Sequence, residues 1–274
     1  MDKYLRLNCT KDTLIRDFLK SHFSSRIETL VKTSSGLSIN GIKKIATDTI
    51  REGEVLDVYI PETSKPYPIT RDCAIEVVYR DEDIMVISKP RGITSMATRG
   101  HEQLNIFAGL NYLYGGETYR VVTRLDKDTE GLVLIALNTL AHSILSHTTI
   151  TKSYTARLEG IVENIVDIDE PIYRMPDSIV RVVSPLGKPS RTIFEPISYV
   201  DGDTIARITL LTGRTHQIRV HASHIGHAVR GDTLYSSSEG EYNSGQMLAC
   251  SHLSFEHPFT HERLTFDYTP TFIK

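Results

Sequence analysis

Val121-Val122-Thr123-Arg124-Leu125-Asp126-Lys127-Asp128-Thr129-Glu130-Gly131-Leu132-Val133-Leu134-Ile135-Ala136 is the segment from which the architecture can be read. A loop carrying two basic and two acidic residues (Arg124, Lys127, Asp126 and Asp128) runs into an unbroken apolar stretch of the kind found in a buried strand. Gly131 reads as the turn between them. Loops mounted on rigid strands commonly display reactive groups, although a charged loop taken alone is more often merely solvated.

On either side, strand-like runs recur at residues 75–79, 84–88, 153–158 and 205–211, with irregular loops and a few helices between them. The absence of a regular βαβ period predicts an α+β fold with a mixed, largely antiparallel sheet and flanking helices. Nearer the amino terminus, apolar spacing predicts a helix over 13–19 and a second short helix over 25–31, stopped at Gly36. A hairpin turning at Asn40-Gly41 and a strand over 55–60 should follow, giving a small α/β unit. The prolines Pro61, Pro66 and Pro68 mark a linker. The expected division is therefore 1–60, a linker at 61–72, and a large domain at 73–274.

The 274 residues are 40% hydrophobic and 24% charged, which suits a globular chain with a substantial core. No apolar run reaches the roughly 18 residues of a membrane helix, and the start carries no secretory pattern, so a cytoplasmic protein without membrane contact is expected. Cys9, Cys73 and Cys250 lie too far apart for a disulfide framework or a CxxC metal set. The net charge of -3 argues weakly against nucleic acid, yet residues 1–60 carry ten Lys plus Arg against eight Asp plus Glu. Any basic surface must come from local clustering.

A second segment stands out far downstream: Leu210-Leu211-Thr212-Gly213-Arg214-Thr215-His216-Gln217-Ile218-Arg219-Val220-His221-Ala222-Ser223-His224-Ile225-Gly226-His227. A strand should end at Thr212-Gly213 and a helix run from near Thr215 to Gly226, whose missing Cβ suits the left-handed position after a helix. Arg219 then lies one turn from His216 and Ser223. The four histidines show no HExxH spacing and have no neighbouring cysteine, so no metal is expected.

Together, Arg124-Leu125-Asp126 with its following strand and the run from Thr212 to Tyr235 resemble the RluA-type family of RNA pseudouridine synthases. Further landmarks occur in order: Val77 to Gly92 with its Lys89-Pro90-Arg91-Gly92 turn, Lys152-Ser153-Tyr154, and His252-Leu253-Ser254-Phe255-Glu256-His257-Pro258. The likeness spans roughly residues 75–270. Four positions depart from the family pattern: Thr123 where His is usual, Glu130 where Ser is usual, and Ala249 and Cys250 where Leu248-Ala249-Cys250 stands in place of Leu-His-Ala.

The resemblance implies a central RNA-binding cleft and a reaction that needs no cofactor. Asp126 would attack the anomeric carbon of a uridine or remove a ribose proton; the residues leave both routes open. Arg219 would pair with it. Arg124 would fill the gap left by the flipped base, and Tyr154 would lie against that base and help deprotonate carbon 5. Ile218 and Leu253 would be apolar walls, with Arg214 and His216 as further RNA contacts. The amino-terminal piece resembles a small RNA-binding domain shared with a bacterial ribosomal protein, with Arg26, Lys32, Lys43 and Lys44 facing phosphates. That favours ribosomal over transfer RNA as the partner of an enzyme expected to be monomeric. Two other readings compete: a catalytically inactive RNA-binding protein on the same fold, and a retaining glycosidase using Asp126 with Asp128.

Overall fold

A computed structural model describes residues 3–23, 29, 36–60, 66–98, 100–236 and 245–273. The chain opens with β1 (Lys3–Asn8), β2 (Thr13–Leu14), α1 (Ile15–His22), β3 (Leu37–Ile39), β4 (Ile42–Lys43), β5 (Thr49–Ile50) and β6 (Val55–Ile60). These form an antiparallel sheet in the order β1-β6-β3-β4 and a small β2-β5 pair. Along β6, Leu56, Val58 and Ile60 are buried while the residues between them are not, so one face of the sheet is covered. Ile15, Phe18 and Leu19 of α1 supply that cover at helical spacing.

The helix starts at Ile15 rather than at 13, because Thr13 and Leu14 pair with Ile50 and Thr49 instead. The backbone N–H groups of Ile15 and Arg16 are then taken by the carbonyls of Asp48 and Ala46, both at 2.9 Å, and no side-chain cap is needed. Asn40 and Gly41 adopt φ of 52° and 76°, as a tight hairpin turn requires. The second short helix expected over 25–31 lies outside the described residues, apart from Thr29.

The large sheet uses β7 (Glu76–Arg80), β8 (Ile84–Lys89), β9 (Arg120–Val121), β10 (Glu130–Ala136), β11 (Thr151–Leu158) and β12 (Val166–Asp169). After a two-stranded ribbon of β13 (Ile172–Arg174) and β14 (Arg181–Val183), it continues with β15 (Arg191–Val200), β16 (Asp203–Leu210), β17 (Leu248–Glu256) and β18 (Arg263–Asp267). The strand order is β12-β15-β16-β11-β17-β10-β8-β7, with β18 on β17 and β9 on β10. Only β10 and β17 run parallel among these described strands, so the fold is mixed α+β with a mostly antiparallel sheet.

Every residue of β8 and β10 is buried, which is why both read as continuous apolar runs without alternation. Gly131 lies inside β10, not in a turn before it. Its φ is +108° and a Cβ there would stand 2.3 Å from the Cys250 carbonyl oxygen, so only glycine lets β10 start against β17.

Among the described residues three α-helices accompany this sheet: α2 (Ile106–Tyr114), α3 (Thr139–Leu145) and α4 (Gln217–His224). Helix α3 serves two cores, with Ala141 and Leu145 in the large one and Leu140 in that of the amino-terminal unit. Residues 66–72 are held to α2: Asn111 donates to the carbonyls of Tyr67 and Ile69, and the Arg71 N–H to that of Ala108. Among the described residues no helix is long and apolar enough to cross a membrane.

Candidate active site

The loop entering β10 is anchored on both sides of Asp126. Ser95 Oγ donates to the Leu125 carbonyl at 2.7 Å and accepts from the Leu125 N–H at 2.9 Å. Lys89, fully buried at the end of β8, donates to the carbonyls of Pro90, Ile93 and Lys127, each at 2.9 Å. Burial pushes this amine down to about 7, against the pull of Asp128, Asp126 and Glu130. Three acceptors match the three N–H bonds of the ammonium form, which therefore ties the loop from beneath.

Facing the loop, α4 presents Arg219. Its guanidinium grips the buried Asp232 carboxylate with two hydrogen bonds, Nε to Oδ2 at 2.6 Å and Nη2 to Oδ1 at 2.7 Å. Burial works against the Arg219 charge, but Asp232 and then Asp126 outweigh it, and the group titrates above its ordinary value. The remaining nitrogen, Nη1, lies 3.4 Å from Asp126 Oδ2.

His216 caps α4 in a left-handed conformation, φ 56°, so the helix near Thr215 begins at Gln217. Its Nε2 is 3.9 Å from the same Asp126 oxygen, while its Nδ1 meets the Tyr235 hydroxyl at 2.9 Å. That hydroxyl accepts the Arg181 backbone N–H, and the Tyr235 ring packs beneath the Arg219 guanidinium at 5.0 Å. Burial holds the His216 pKa below its ordinary value despite Asp126, with Arg219 adding to the fall, so the ring is neutral at neutral pH. Asp126 Oδ1 makes no hydrogen bond among the described residues.

Tyr154 comes from β11, where the pairing with β17 skips Ser251, a bulge beside the site. Burial pushes its phenol well above the ordinary value, so it is neutral too. Asp126, Tyr154, His216, Ile218 and Arg219 line one cavity of about 80 Å³. A wider space of about 330 Å³ shares Arg124, Asp126, Tyr154 and Arg214 with it and adds Lys152 and residues 94–96.

The expected site residues do not all meet there. Arg124 is exposed at the mouth and has no partner among the described residues; Arg214, also exposed, donates from Nε to the Pro189 carbonyl at 3.2 Å. Leu253 lines neither of these cavities: it is fully buried in β17 between Lys152 and Phe266 and belongs to the large core. Asp128 lines neither cavity, so it does not face Asp126 across a bond to be cleaved, as a glycosidase pair must. Lys43 and Lys44 sit on the amino-terminal hairpin, away from both cavities, and Arg26 and Lys32 lie outside the described residues.

A sequence model of the family described as RNA pseudouridylate synthase matches residues 83–224, which hold Asp126, Tyr154 and Arg219. The chain belongs to that family. Members of the pseudouridine synthase family are isomerases acting on uridine in RNA. An uncharacterized RNA pseudouridine synthase of Bacillus subtilis (strain 168), YjbO, is 37% identical over 255 residues, or 89% of this chain and 90% of that protein. Ribosomal large subunit pseudouridine synthase D of Haemophilus ducreyi is 31% identical across 94% of this chain and 85% of its own length. The solved structure of human RNA pseudouridylate synthase domain containing 1 superposes with a TM-score of 0.58 at 26% identity, covering 72% of this chain and 84% of that one.

Two departures from the usual pseudouridine synthase pattern have structural explanations. Thr123 is buried and its hydroxyl accepts the Leu134 N–H at 2.9 Å, so it completes the edge of β10. Glu130, 3% exposed, accepts from the Thr271 N–H and hydroxyl and lies 3.3 Å from Arg91, strapping the carboxy-terminal turn behind the loop. Cys250 is buried, and burial pushes its thiol up to about 12, leaving it inert.

Asp232, Tyr235 and Gln217 were not singled out from the sequence. Gln217 makes four hydrogen bonds, accepting from Thr212 and the Arg214 N–H and donating to Thr192 and the Arg191 carbonyl; it fixes the turn before α4. A glutamine one residue inside a helix, next to Thr-Gly-Arg-Thr, was the available signal. The aspartate after Gly231 offered none beyond its charge.

Proposed function

We propose that Asp126 carries the isomerisation, and that the substrate is a uridine in a ribosomal RNA. The observation behind this reading is that Asp126 stands over a cavity with one oxygen held by Arg219, while Oδ1 is left without a hydrogen bond among the described residues. That second oxygen is the one able to attack the anomeric carbon or to take a ribose proton; the geometry accommodates either route. Asp232 holds Arg219 so that its third nitrogen faces Asp126 at every stage, at no cost in side-chain ordering during the reaction.

Arg124, at the mouth and without a partner among the described residues, is suited to enter the stack when the uridine swings out. Tyr154, neutral at neutral pH, packs against the base, beside the carbon 5 proton that must be lost. Ile218 closes the inner wall. The relative named for the large ribosomal subunit matches 94% of this chain, including most of the amino-terminal sheet unit. We read residues 1–60 as an RNA-binding domain with Lys43 and Lys44 toward phosphates, joined through 61–72 to a catalytic domain at 73–274. The enzyme works as a cytoplasmic monomer in this reading.

The test uses RNA labelled with tritium at uracil carbon 5, since that hydrogen is lost when carbon 5 bonds to the sugar. Release from large-subunit ribosomal RNA and none from transfer RNA is the expected result. Release from transfer RNA alone would overturn the substrate assignment while leaving the chemistry intact.

A further inference from the structure

Beyond the Asp126 cavities lies a larger groove of about 490 Å³, bounded by the β13-β14 ribbon, the turn at 186–188 and the segment 213–215. Among the described residues its lining holds four cations, Arg174, Arg181, Lys188 and Arg214, and no acidic residue, in a chain whose net charge is -3. The clustering is thus local.

Two of these cations are unspent. The side chains of Arg174 and Lys188 form no hydrogen bond or ion pair among the described residues, and both are exposed. Arg174 also stands directly across the ribbon from Arg181 in the strand register. Like charges opposite each other in an antiparallel pair destabilise it, so the ribbon carries an arrangement that an anion between the strands would relieve.

The groove is rigid where it needs to be. Lys188 exchanges two backbone hydrogen bonds with Ile172, and a Cβ on Gly187 would stand 2.3 Å from the Ile172 carbonyl carbon, so the turn sits tightly on the ribbon. Arg181 gives its N–H to the Tyr235 hydroxyl, which in turn meets His216. Tyr173 contributes an aromatic wall. Arg214 lines this groove and both Asp126 cavities, so a strand with its uridine over Asp126 leads past Arg214 into it.

We infer that the ribbon groove seats a nucleotide of single-stranded RNA flanking the target uridine, with phosphates on Arg174, Lys188 and Arg214 and a base against Tyr173. The inference rests on the reading of this chain as an enzyme that acts on RNA. Cations tracking a backbone beside an aromatic platform are the recurring device for unpaired strands. The subsite adds grip and register without touching the reacting atoms.

The test is the double variant Arg174→Ala/Lys188→Ala, whose side chains are exposed and outside the Asp126 cavities. Binding to a uridine 20-mer across a potassium chloride series should show a slope of log affinity against log salt smaller by about 1.4, because each phosphate neutralised on a single strand contributes about 0.7. KM for labelled ribosomal RNA should rise while the single-turnover rate at saturating RNA stays at the wild-type value. Tyr173→Ala should weaken binding by about tenfold with an unchanged slope. An unchanged slope and KM in the double variant, with wild-type protein active, would overturn the subsite alone; wild-type protein inactive on every RNA would instead remove the functional reading beneath it.

Discussion

Asp126 in the loop before β10 and Glu130 at the start of that strand each face an arginine, yet their surroundings are opposite. Asp126 is 31% exposed, touches Arg219 through one oxygen and, among the described residues, leaves the other without a hydrogen bond. Glu130 is 3% exposed, spends both oxygens on Thr271 and lies against the nearly buried Arg91, whose guanidinium also sits over the Phe272 ring. With Asp126 in its proposed role, the difference teaches how to tell a reactive carboxylate from a structural one: by spare acceptor capacity and access to a cavity, not by the presence of a guanidinium. A structural pair consumes its lone pairs. A reactive one keeps some.

Glu130→Ala sharpens that contrast most. It leaves Arg91 buried without its counter-charge and frees the carboxy-terminal turn, and urea unfolding should show a loss of about 3 kcal/mol. Turnover per folded molecule should stay close to wild type. Loss of turnover in a fully folded Glu130→Ala protein would mean that the two carboxylates share one role.

A smaller effect comes from pH. Burial lowers the pKa values of both His216 and His221 below 6.5, so below that pH the unfolded chain binds protons that the folded chain refuses. Stability from these neutral rings is therefore complete above about pH 6.5 and declines as pH falls through it. The melting temperature should be lower at pH 5.5 than at pH 7.5 by more than in His221→Gln. An equal drop in both would show that His221, which meets Thr192 and the Glu170 carbonyl, adds nothing to the slope.

Much of this was legible in the sequence. The charged loop running into residues 132–136 announced a buried strand, and Arg219, 93 residues from Asp126, was named as its partner through family resemblance. The unread parts have physical reasons. Strand β17 is central but does not alternate, because a bulge at Ser251 and burial on both faces erase the period of two. Strand β15 is broken in the same way near Pro196. Helices α2 and α3 did leave a signal, since Asn105 and Asn138 accept the N–H groups of Ala108 and Ala141 as caps. Leu253 belongs to the recognisable His252–Pro258 run, but its side chain follows the strand into the core. Asp232 escaped since one aspartate after a glycine says nothing of two hydrogen bonds to a guanidinium made only in three dimensions.

Tritium release in a single turnover by Asp126→Asn, compared with wild type on the same labelled ribosomal RNA, bears most directly on the central claim. The account predicts that the variant binds the RNA with wild-type affinity and salt dependence, melts at or above the wild-type temperature, and releases tritium slower by on the order of 10⁴-fold. Release at the wild-type rate by the folded variant would contradict it.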